Sequence, residues 1–343
     1  MEFSFSKILE HDKQVYVKEK DSKEEGISLR KMGIWNKDKE ENKSTINEVR
    51  DYYQKLFNLA NQVQSWVQDN NTIHISLVMP VLRSIIENNL IDSLYYYLVL
   101  EGDKGSKLMA PLVAHSIDLT IFSLKIGIGM GYDNKKLLAL AIVAFLHDIG
   151  MYKIPQNILN KKGKLSKQEF KEVQKHPEIS ADILSKLDDK YRGLANLSLQ
   201  VHERADGSGY PRGLKGEEIH DYASIIGLLD IYSAMIKDRP YRDRIEQNRA
   251  MKSIIASIKG KFPVKIVKLF LHQISFFPVN SYVKLNDRSV GMVITTNPSF
   301  PLKPTVEILF DSLGGKLQKP RIVDLSEQPL LYVTGSIDEK DIS

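Results

Sequence analysis

Residues 202–211 read HERADGSGYP, and this stretch decides how the rest of the chain is interpreted. It combines an imidazole, two carboxylates, a guanidinium and a phenol with two glycines and a proline. Asp206-Gly207 is a turn signal, and Gly209 before Tyr210-Pro211 is another, so the stretch is expected to form a loop. Turn chemistry alone indicates only a loop, so the interpretation depends on the residues that surround it.

Ionisable residues interrupt several otherwise apolar helical patterns on either side of the loop. His115, the pair His147-Asp148, His176 and then the loop follow one another at intervals of about thirty residues, and Asp230 lies on a further predicted helix. A buried carboxylate without a partner is costly. A buried salt bridge is the structural alternative for His147-Asp148, whereas a metal ion explains that pair and His115 together.

The motifs, taken in order, resemble those of the HD-GYP family, a branch of the HD-domain phosphohydrolases. They are His147-Asp148, HPE at 176–178, HERADGSGYP at 202–211 and DRPYR at 238–242, and the resemblance covers roughly residues 111–242. Members of this family hydrolyse cyclic di-GMP, a bacterial second messenger, at a cluster of metal ions. The resemblance implies a metal-dependent phosphodiesterase that converts cyclic di-GMP to the linear dinucleotide pGpG, to GMP, or to both.

The resemblance also implies a site for two divalent metal ions. Asp148 would bridge them, and Asp148 and His147 are the expected catalytic residues. Imidazole and carboxylate ligands suit iron, manganese or zinc better than magnesium, and the family commonly uses iron or manganese, so one of these is expected. The implied ligands are six: His115, His147, Asp148 and Asp230 for the first ion, with His176 and His202 joining Asp148 at the second.

Substrate contacts are implied in the same way. Arg239 and Arg242 match family positions that grip the phosphates, a task that suits the forked guanidinium group. Alternatively, Arg239 simply pairs with a neighbouring aspartate. Tyr210, at the tip of the loop, is expected to touch the substrate or a protein partner. Lys153 is expected to substitute for a family lysine whose place is taken by Met151.

The remaining loop residues are expected to orient the loop rather than to bind metal. They are Glu203, Asp206, Gly207, Gly209 and Pro211. Two departures from the family pattern argue against a third metal ion: Val201 stands where the family usually has a histidine, and Pro111 where some members have a glutamate.

Composition narrows the classes of protein. The 343 residues are 42% hydrophobic and 27% charged, with a net charge of +5 and no cysteine. Disulfides and thiolate ligands are therefore excluded, and a cytoplasmic location is expected. No membrane span is expected, because the longest apolar run, residues 137–146, suits a buried helix. No signal peptide and no DNA-binding pattern are expected either.

The predicted fold class is mainly α, with four regions. Residues 1–44 form an irregular or β-containing lead-in, and 45–105 a helical N-terminal domain that could sense a signal or mediate a homodimer. Residues 106–275 form the HD-GYP helical bundle. Residues 276–343 form a small β domain, whose alternating patterns predict strands at 282–285, 290–294, 305–310 and 321–325.

Two other functions remain open. One is a module that senses a cyclic dinucleotide, or docks a diguanylate cyclase or another protein through the loop, without turnover; Val201 and Met151 motivate it. The other is a hydrolase of a different phosphate ester, including a different cyclic dinucleotide, because no motif reports guanine recognition.

Overall fold

The computed structural model describes residues 40–106, 111–161, 163–236, 258–274, 277, 279, 281–297, 300 and 302–337. Most of the predicted lead-in, and the DRPYR stretch with Arg239 and Arg242, lie outside the described residues. Helices dominate the described residues up to 274, and a five-stranded sheet follows. The predicted fold class, mainly α with a small C-terminal β region, is confirmed.

Three helices begin the described chain: α1 (Glu40–Gln68), α2 (Ile75–Glu87) and α3 (Ile91–Ser106). The apolar spacing over 77–98 predicts a single helix, and this is wrong because the structure has α2 and α3 there. The chain turns at Asn89, which adopts a left-handed backbone conformation with φ of +54°. Asparagine tolerates this conformation at the end of a helix, and periodicity does not report it.

The centre of the bundle consists of α4 (Pro111–Gly129) and α5 (Asn134–Leu146). Every residue of α5 from Leu137 to Leu146 is buried, as expected for a helix that is apolar on all sides. By length and composition α4 could cross a membrane, but it is mostly buried within the protein. The sequence pattern predicts no apolar stretch long enough to cross a membrane, and this prediction missed α4. Apolar side chains of α1–α3 join those of α4 and α5 in one continuous core.

Short elements carry the chain from α5 towards the loop. A 3-10 turn, Ile149–Lys153, follows α5, and the helices after it are α6 (Gln156–Leu159), α7 (Lys167–Val173), α8 (His176–Ser185) and α9 (Arg192–Gln200). The pattern over 166–187 predicts a single helix with a capping box of Ser166 and Glu169 at its start, whereas the structure has α7 and α8 there. The predicted capping box of Ser166 and Glu169 does begin α7, and Pro177 lies at the start of α8, because proline is accepted in the first turn but not in a helix interior.

Beyond the loop, α10 (Asp221–Ile236) and α11 (Val264–Gln273) complete the described helices. The antiparallel sheet has the order β4-β3-β2-β1-β5. The sequence predicted four of these strands and missed β5, which pairs with β1. The strands are β1 (Tyr282–Leu285), β2 (Val290–Thr295), β3 (Thr305–Phe310), β4 (Lys316–Asp324) and β5 (Val333–Ile337).

Candidate metal centre

Imidazole and carboxylate side chains from five helical elements meet in the interior of the bundle. His115 lies in the second turn of α4, and His147 and Asp148 directly follow the last turn of α5. His176 begins α8, His202 lies two residues beyond α9, and Asp230 lies in the third turn of α10. All six predicted ligands are therefore brought together.

Asp148 is at the centre of this cluster. Its Oδ1 atom lies 3.2 Å from His147 Nε2 and 3.2 Å from His176 Nε2. The same oxygen lies 3.5 Å from His202 Nε2, and Oδ2 lies 3.8 Å from His115 Nε2. One carboxylate thus faces four imidazole groups.

Asp230 lies across the cluster and faces two of the same rings. Its Oδ1 atom is 3.3 Å from His115 Nε2, and its Oδ2 atom is 3.7 Å from His202 Nδ1. Because these two histidines come from opposite ends of the motif series, Asp230 connects the two sides of the site.

The described residues contain two groups whose ligand atoms lie within 4.8 Å of one another. One group is His115, His147 and Asp148, and the other is Asp148, His176 and His202. Asp148 belongs to both groups. A carboxylate shared in this way has the geometry to bridge two metal ions.

Backbone carbonyls orient two of the rings. His147 Nδ1 lies 2.9 Å from Ala144 O, and His176 Nδ1 lies 2.6 Å from Val173 O. A carbonyl only accepts, so each Nδ1 carries the hydrogen and donates it. In the neutral ring, Nε2 then presents a lone pair to the site, which is the usual arrangement of a histidine that binds metal.

Two buried atoms support a cation at this place. His147 Nε2 and Asp148 Oδ1 have no hydrogen-bond partner in the part of the chain that the structure describes. Both atoms are electron-pair donors. Unpaired buried polar groups are costly, and a metal ion would satisfy both at once. The nitrogen and oxygen donors fit iron, manganese or zinc.

Electrostatics set the protonation of the cluster. Burial lowers the pKa of His147, which favours its neutral form. Burial alone would raise the pKa of Asp148, but the neighbouring His147 and His176 outweigh it and hold that pKa well below its usual range. The pKa of Asp230 is also lowered, because its interactions with His115 and His202 exceed the effect of burial. Both carboxylates are therefore charged at neutral pH.

The loop is closed by a buried carboxylate. Glu203 accepts hydrogen bonds from Arg212 N at 2.7 Å and from Leu214 N at 3.0 Å. Gly209 packs against it so closely that an added Cβ would lie 2.4 Å from Glu203 Cα. Only glycine fits there without moving the backbone.

The outer part of the loop is a turn around Asp206 and Gly207. Asp206 Oδ1 accepts hydrogen bonds from the N–H and the hydroxyl of Ser208 at 2.9 and 2.6 Å, which lower the pKa of the carboxyl. Gly207 has a φ of +80°, a conformation that favours glycine. Neither Asp206 nor Glu203 contributes to the two candidate ligand groups.

Tyr210 lies against the site. Its ring stacks on that of His202, with centroids 5.1 Å apart and planes 4° from parallel. Burial raises the pKa of Tyr210 well above its usual value of 10.0, so the phenol keeps its proton. Pro211 follows at the point where the chain turns away towards Arg212. The phenol group is therefore available as a hydrogen-bond donor beside the second ligand group.

Lys153 is placed differently from the expectation. Its ammonium group donates to Asn70 Oδ1 at 2.7 Å and to Gln68 O at 3.2 Å, at the C-terminal end of α1. These contacts engage it with the N-terminal helices instead of a phosphate group. The reason is that Lys153 ends a 3-10 turn that packs beside α1, and its position in the sequence does not show that neighbour.

Sequence reasoning also missed two residues that support the site. Ser198 donates its hydroxyl to His147 O at 2.9 Å, and Arg204 donates to two backbone carbonyls that flank His202. Arg204 could have been found from the sequence, because it lies inside the motif at 202–211. Ser198 had none, because a serine on a helix is ordinarily a solvated residue.

Two parts of the chain match known protein families. Residues 106–262 match the family model described as HD domain, and residues 282–343 match the model of a KOW domain associated with HD domain. Cyclic di-GMP phosphodiesterase PdeB of Borreliella burgdorferi is 31% identical over 216 residues, which are 63% of this chain and 55% of that protein. Cyclic di-GMP phosphodiesterase PA4108 of Pseudomonas aeruginosa is 32% identical over 184 residues, 54% of this chain and 44% of that protein.

A relative with a different named substrate is also similar. The 3'3'-cGAMP-specific phosphodiesterase 3 of Vibrio cholerae is 35% identical over 137 residues, 40% of this chain and 30% of that protein. The chain spans about half of the length of PdeB and less of the other two relatives. Residues 106–262 are thus similar to HD domains, and residues 282–343 are similar to the KOW domain associated with them.

Proposed function

We propose that the chain is a metal-dependent phosphodiesterase that hydrolyses cyclic di-GMP to pGpG, GMP or both. The observation that carries the proposal is the position of Asp148, whose carboxylate belongs to both candidate ligand groups. Relatives named as cyclic di-GMP phosphodiesterases match 63% and 54% of the chain, which supports the choice of substrate.

The six clustered residues would hold two divalent ions, iron or manganese. Such ions lower the pKa of bound water and neutralise phosphoryl charge, which supplies a nucleophile at neutral pH. His115, His147 and Asp230 would hold one side of the site, and His176 and His202 the other. Asp148 would bridge the two sides, and the carbonyls of Ala144 and Val173 would keep two of the imidazoles in the required tautomer.

Residues beside the metal groups would hold the substrate. The phenol of Tyr210 stays protonated and would donate a hydrogen bond to a phosphate or base of the dinucleotide. Arg239 and Arg242, by resemblance, would bind the phosphates through their guanidinium groups. Glu203 would act indirectly, because both of its oxygens hold loop N–H groups.

A second substrate of the same class has support of its own. Two relatives are named as 3'3'-cGAMP-specific phosphodiesterases, and they match the chain with 35% identity. The six clustered residues act on the phosphodiester, which both dinucleotides share. Discrimination between the bases would therefore depend on residues outside this cluster.

A binding module without turnover is the other candidate. Val201, at the position where a further histidine is usual, is fully buried in apolar surroundings, and Lys153 is engaged with α1. The site therefore lacks a histidine at position 201 and a free lysine at position 153, two groups that a strong catalyst of this type would use. Such a module would bind the nucleotide, or dock a protein through the loop, and leave the phosphodiester intact.

The test is turnover by protein purified without oxygen and supplied with iron or manganese. Wild type and Asp148→Ala are incubated separately with cyclic di-GMP and 3'3'-cGAMP, and the products are resolved by chromatography. The proposal expects pGpG or GMP from wild type and loss of product in Asp148→Ala or with a chelator. Asp182→Ala, which removes a surface carboxylate paired with Lys186, is the control. Equal turnover by Asp148→Ala and wild type would contradict the mechanism.

A further inference from the structure

Arg204 ties together the backbone turn that carries His202. Its Nη1 atom donates to Val201 O at 3.1 Å and to Glu203 O at 2.7 Å. These two carbonyls belong to the residues on either side of His202. The guanidinium group therefore fixes the backbone on both sides of a candidate metal ligand.

The same side chain anchors the turn to a distant segment. The Arg204 guanidinium lies 5.0 Å from the ring centroid of Phe262, which is buried. Ala205 N donates to Lys261 O at 2.9 Å, so the backbone is attached at the same place. Guanidinium stacks well on an aromatic face, whereas an ammonium group lacks the planar shape.

Helix α10 reaches the turn through a glycine. A Cβ added at Gly227 would lie 2.2 Å from Val201 O and 3.1 Å from Arg204 Nη1. The backbone of α10 thus packs directly on the carbonyl that Arg204 holds. Asp230 follows Gly227 by about one helical turn, and its Oδ2 atom lies 3.7 Å from His202 Nδ1.

The charge of Asp230 also affects Arg204. Burial lowers the pKa of Arg204, and the nearby carboxylate of Asp230 acts in the opposite direction. The hydrogen bonds of the guanidinium go to the two carbonyls, and Arg204 belongs to neither ligand group.

We propose that Arg204, packed on Phe262 and against Gly227, is a positioning residue that sets the separation of His202 and Asp230. It thereby determines the affinity of the group formed by Asp148, His176 and His202 for its metal ion. This inference rests on the proposed metal-dependent function.

The test compares metal binding by the full chain. Metal-free wild type, Arg204→Lys and Arg204→Met are titrated with manganese by calorimetry, and the electron spin resonance of the loaded proteins shows whether two ions are coupled. We expect both variants to bind one ion as wild type does and to lose about 10- to 100-fold in affinity for the other, the range for residues that orient metal ligands. Lysine should not rescue binding, because it keeps the charge but loses the fork and the stack.

Arg212→Lys is the matched control. Arg212 lies in the same loop, and its side chain bonds to Asn196 Oδ1 at 3.1 Å on the surface. This variant should bind both ions as tightly as wild type. Equal manganese affinities in wild type and Arg204→Lys would overturn the proposal, and so would a raised KM with unchanged metal binding, since that result assigns Arg204 to substrate.

Gly227→Ala tests the packing by a second route if the arginine variants fold poorly. The added methyl group must push α10 away from Val201 O, so the coupled manganese signal should weaken while one ion still binds. Gly335→Ala, where a Cβ meets nothing within 4 Å, should leave the signal unchanged. An unchanged signal in Gly227→Ala would also count against the proposal. If wild type binds two ions but hydrolyses neither dinucleotide, the proposed function fails while the metal titrations still decide the role of Arg204.

Discussion

The Nε2 atoms of His176 and His202 lie 2.8 Å apart, with their ring planes 87° from parallel. Because Nδ1 of His176 donates to Val173 O, its Nε2 atom is a lone-pair donor in the neutral ring. Asp148 Oδ1 lies 3.2 Å from the same nitrogen. Electron-pair donors this close repel one another unless a proton or a metal ion lies among them. A hydrogen on His202 Nε2, or a metal ion bound among the three atoms, therefore relieves this repulsion.

Replacement of His176 should remove one of the two ions. In His176→Ala, the group of Asp148, His176 and His202 keeps only two of its ligands, whereas His115, His147 and Asp148 remain. We expect the metal content to fall from two ions to one per chain, and phosphodiesterase turnover to fall by more than about a hundredfold, since replacing even the partners of metal ligands costs about 10- to 100-fold. Metal analysis after dialysis and product chromatography measure the two effects.

The control is His272→Ala. His272 is exposed on α11 and belongs to neither ligand group, so this variant should keep both ions. Retention of two ions by His176→Ala would show that its imidazole is not a ligand.

Manganese affinity should rise with pH. Burial lowers the pKa of His176, but the charge of Asp148 and the hydrogen bond to Val173 O outweigh it, and the net pKa is raised above 6.5. A proton on Nε2 competes with the metal ion. Affinity at the second group should therefore fall by up to about tenfold for each pH unit below that raised pKa and level off above it.

Calorimetric titration in buffers of different ionisation heat measures this effect, because it counts the protons that metal binding releases. His176→Ala should release fewer protons than wild type at pH 6.5 to 7. An affinity that stays constant from pH 6 to 8 would contradict the assignment of His176 as a ligand.

Gly209→Ala should disrupt the loop. The added Cβ would lie 2.4 Å from backbone atoms of Glu203 and Arg204, so the hydrogen bonds of the Glu203 carboxylate must shift. We expect the free energy of unfolding to fall by about 1–3 kcal/mol. Urea denaturation measures the change, and Gly335→Ala, in open space on β5, should stay within about 0.5 kcal/mol of wild type. A Gly209→Ala protein as stable as wild type would show that the loop has room to adjust.

Lys153→Met should affect stability and not substrate affinity. It removes the hydrogen bonds to Asn70 Oδ1 and Gln68 O, which should lower the free energy of unfolding by about 1 kcal/mol. The KM for cyclic di-GMP should stay within about twofold of wild type. Lys186→Met, which breaks an exposed pair with Asp182, should change stability by less than about 1 kcal/mol. A tenfold rise in KM for Lys153→Met would contradict this prediction and show that Lys153 contacts the substrate.

The chemistry of the site was readable from the sequence. His115, His147-Asp148, His176, His202 and Asp230 interrupt apolar helical patterns, and buried ionisable side chains need partners wherever they occur. The turn residues around Gly207 and Gly209 were equally readable, because local backbone conformation restricts which residues fit. Hydrophobic periodicity predicted the helical regions and four of the strands, although it merged α2 with α3 and α7 with α8.

Only the tertiary structure decided which of these groups face each other. The approach of His176 to His202, the engagement of Lys153 with the end of α1 and the packing of Arg204 on Phe262 join atoms from separate segments. Periodicity shows which face of a helix is apolar, but it does not show which helix covers that face or how closely. That distance depends on packing, as at Gly227, where the lack of a side chain lets α10 approach the turn that carries His202.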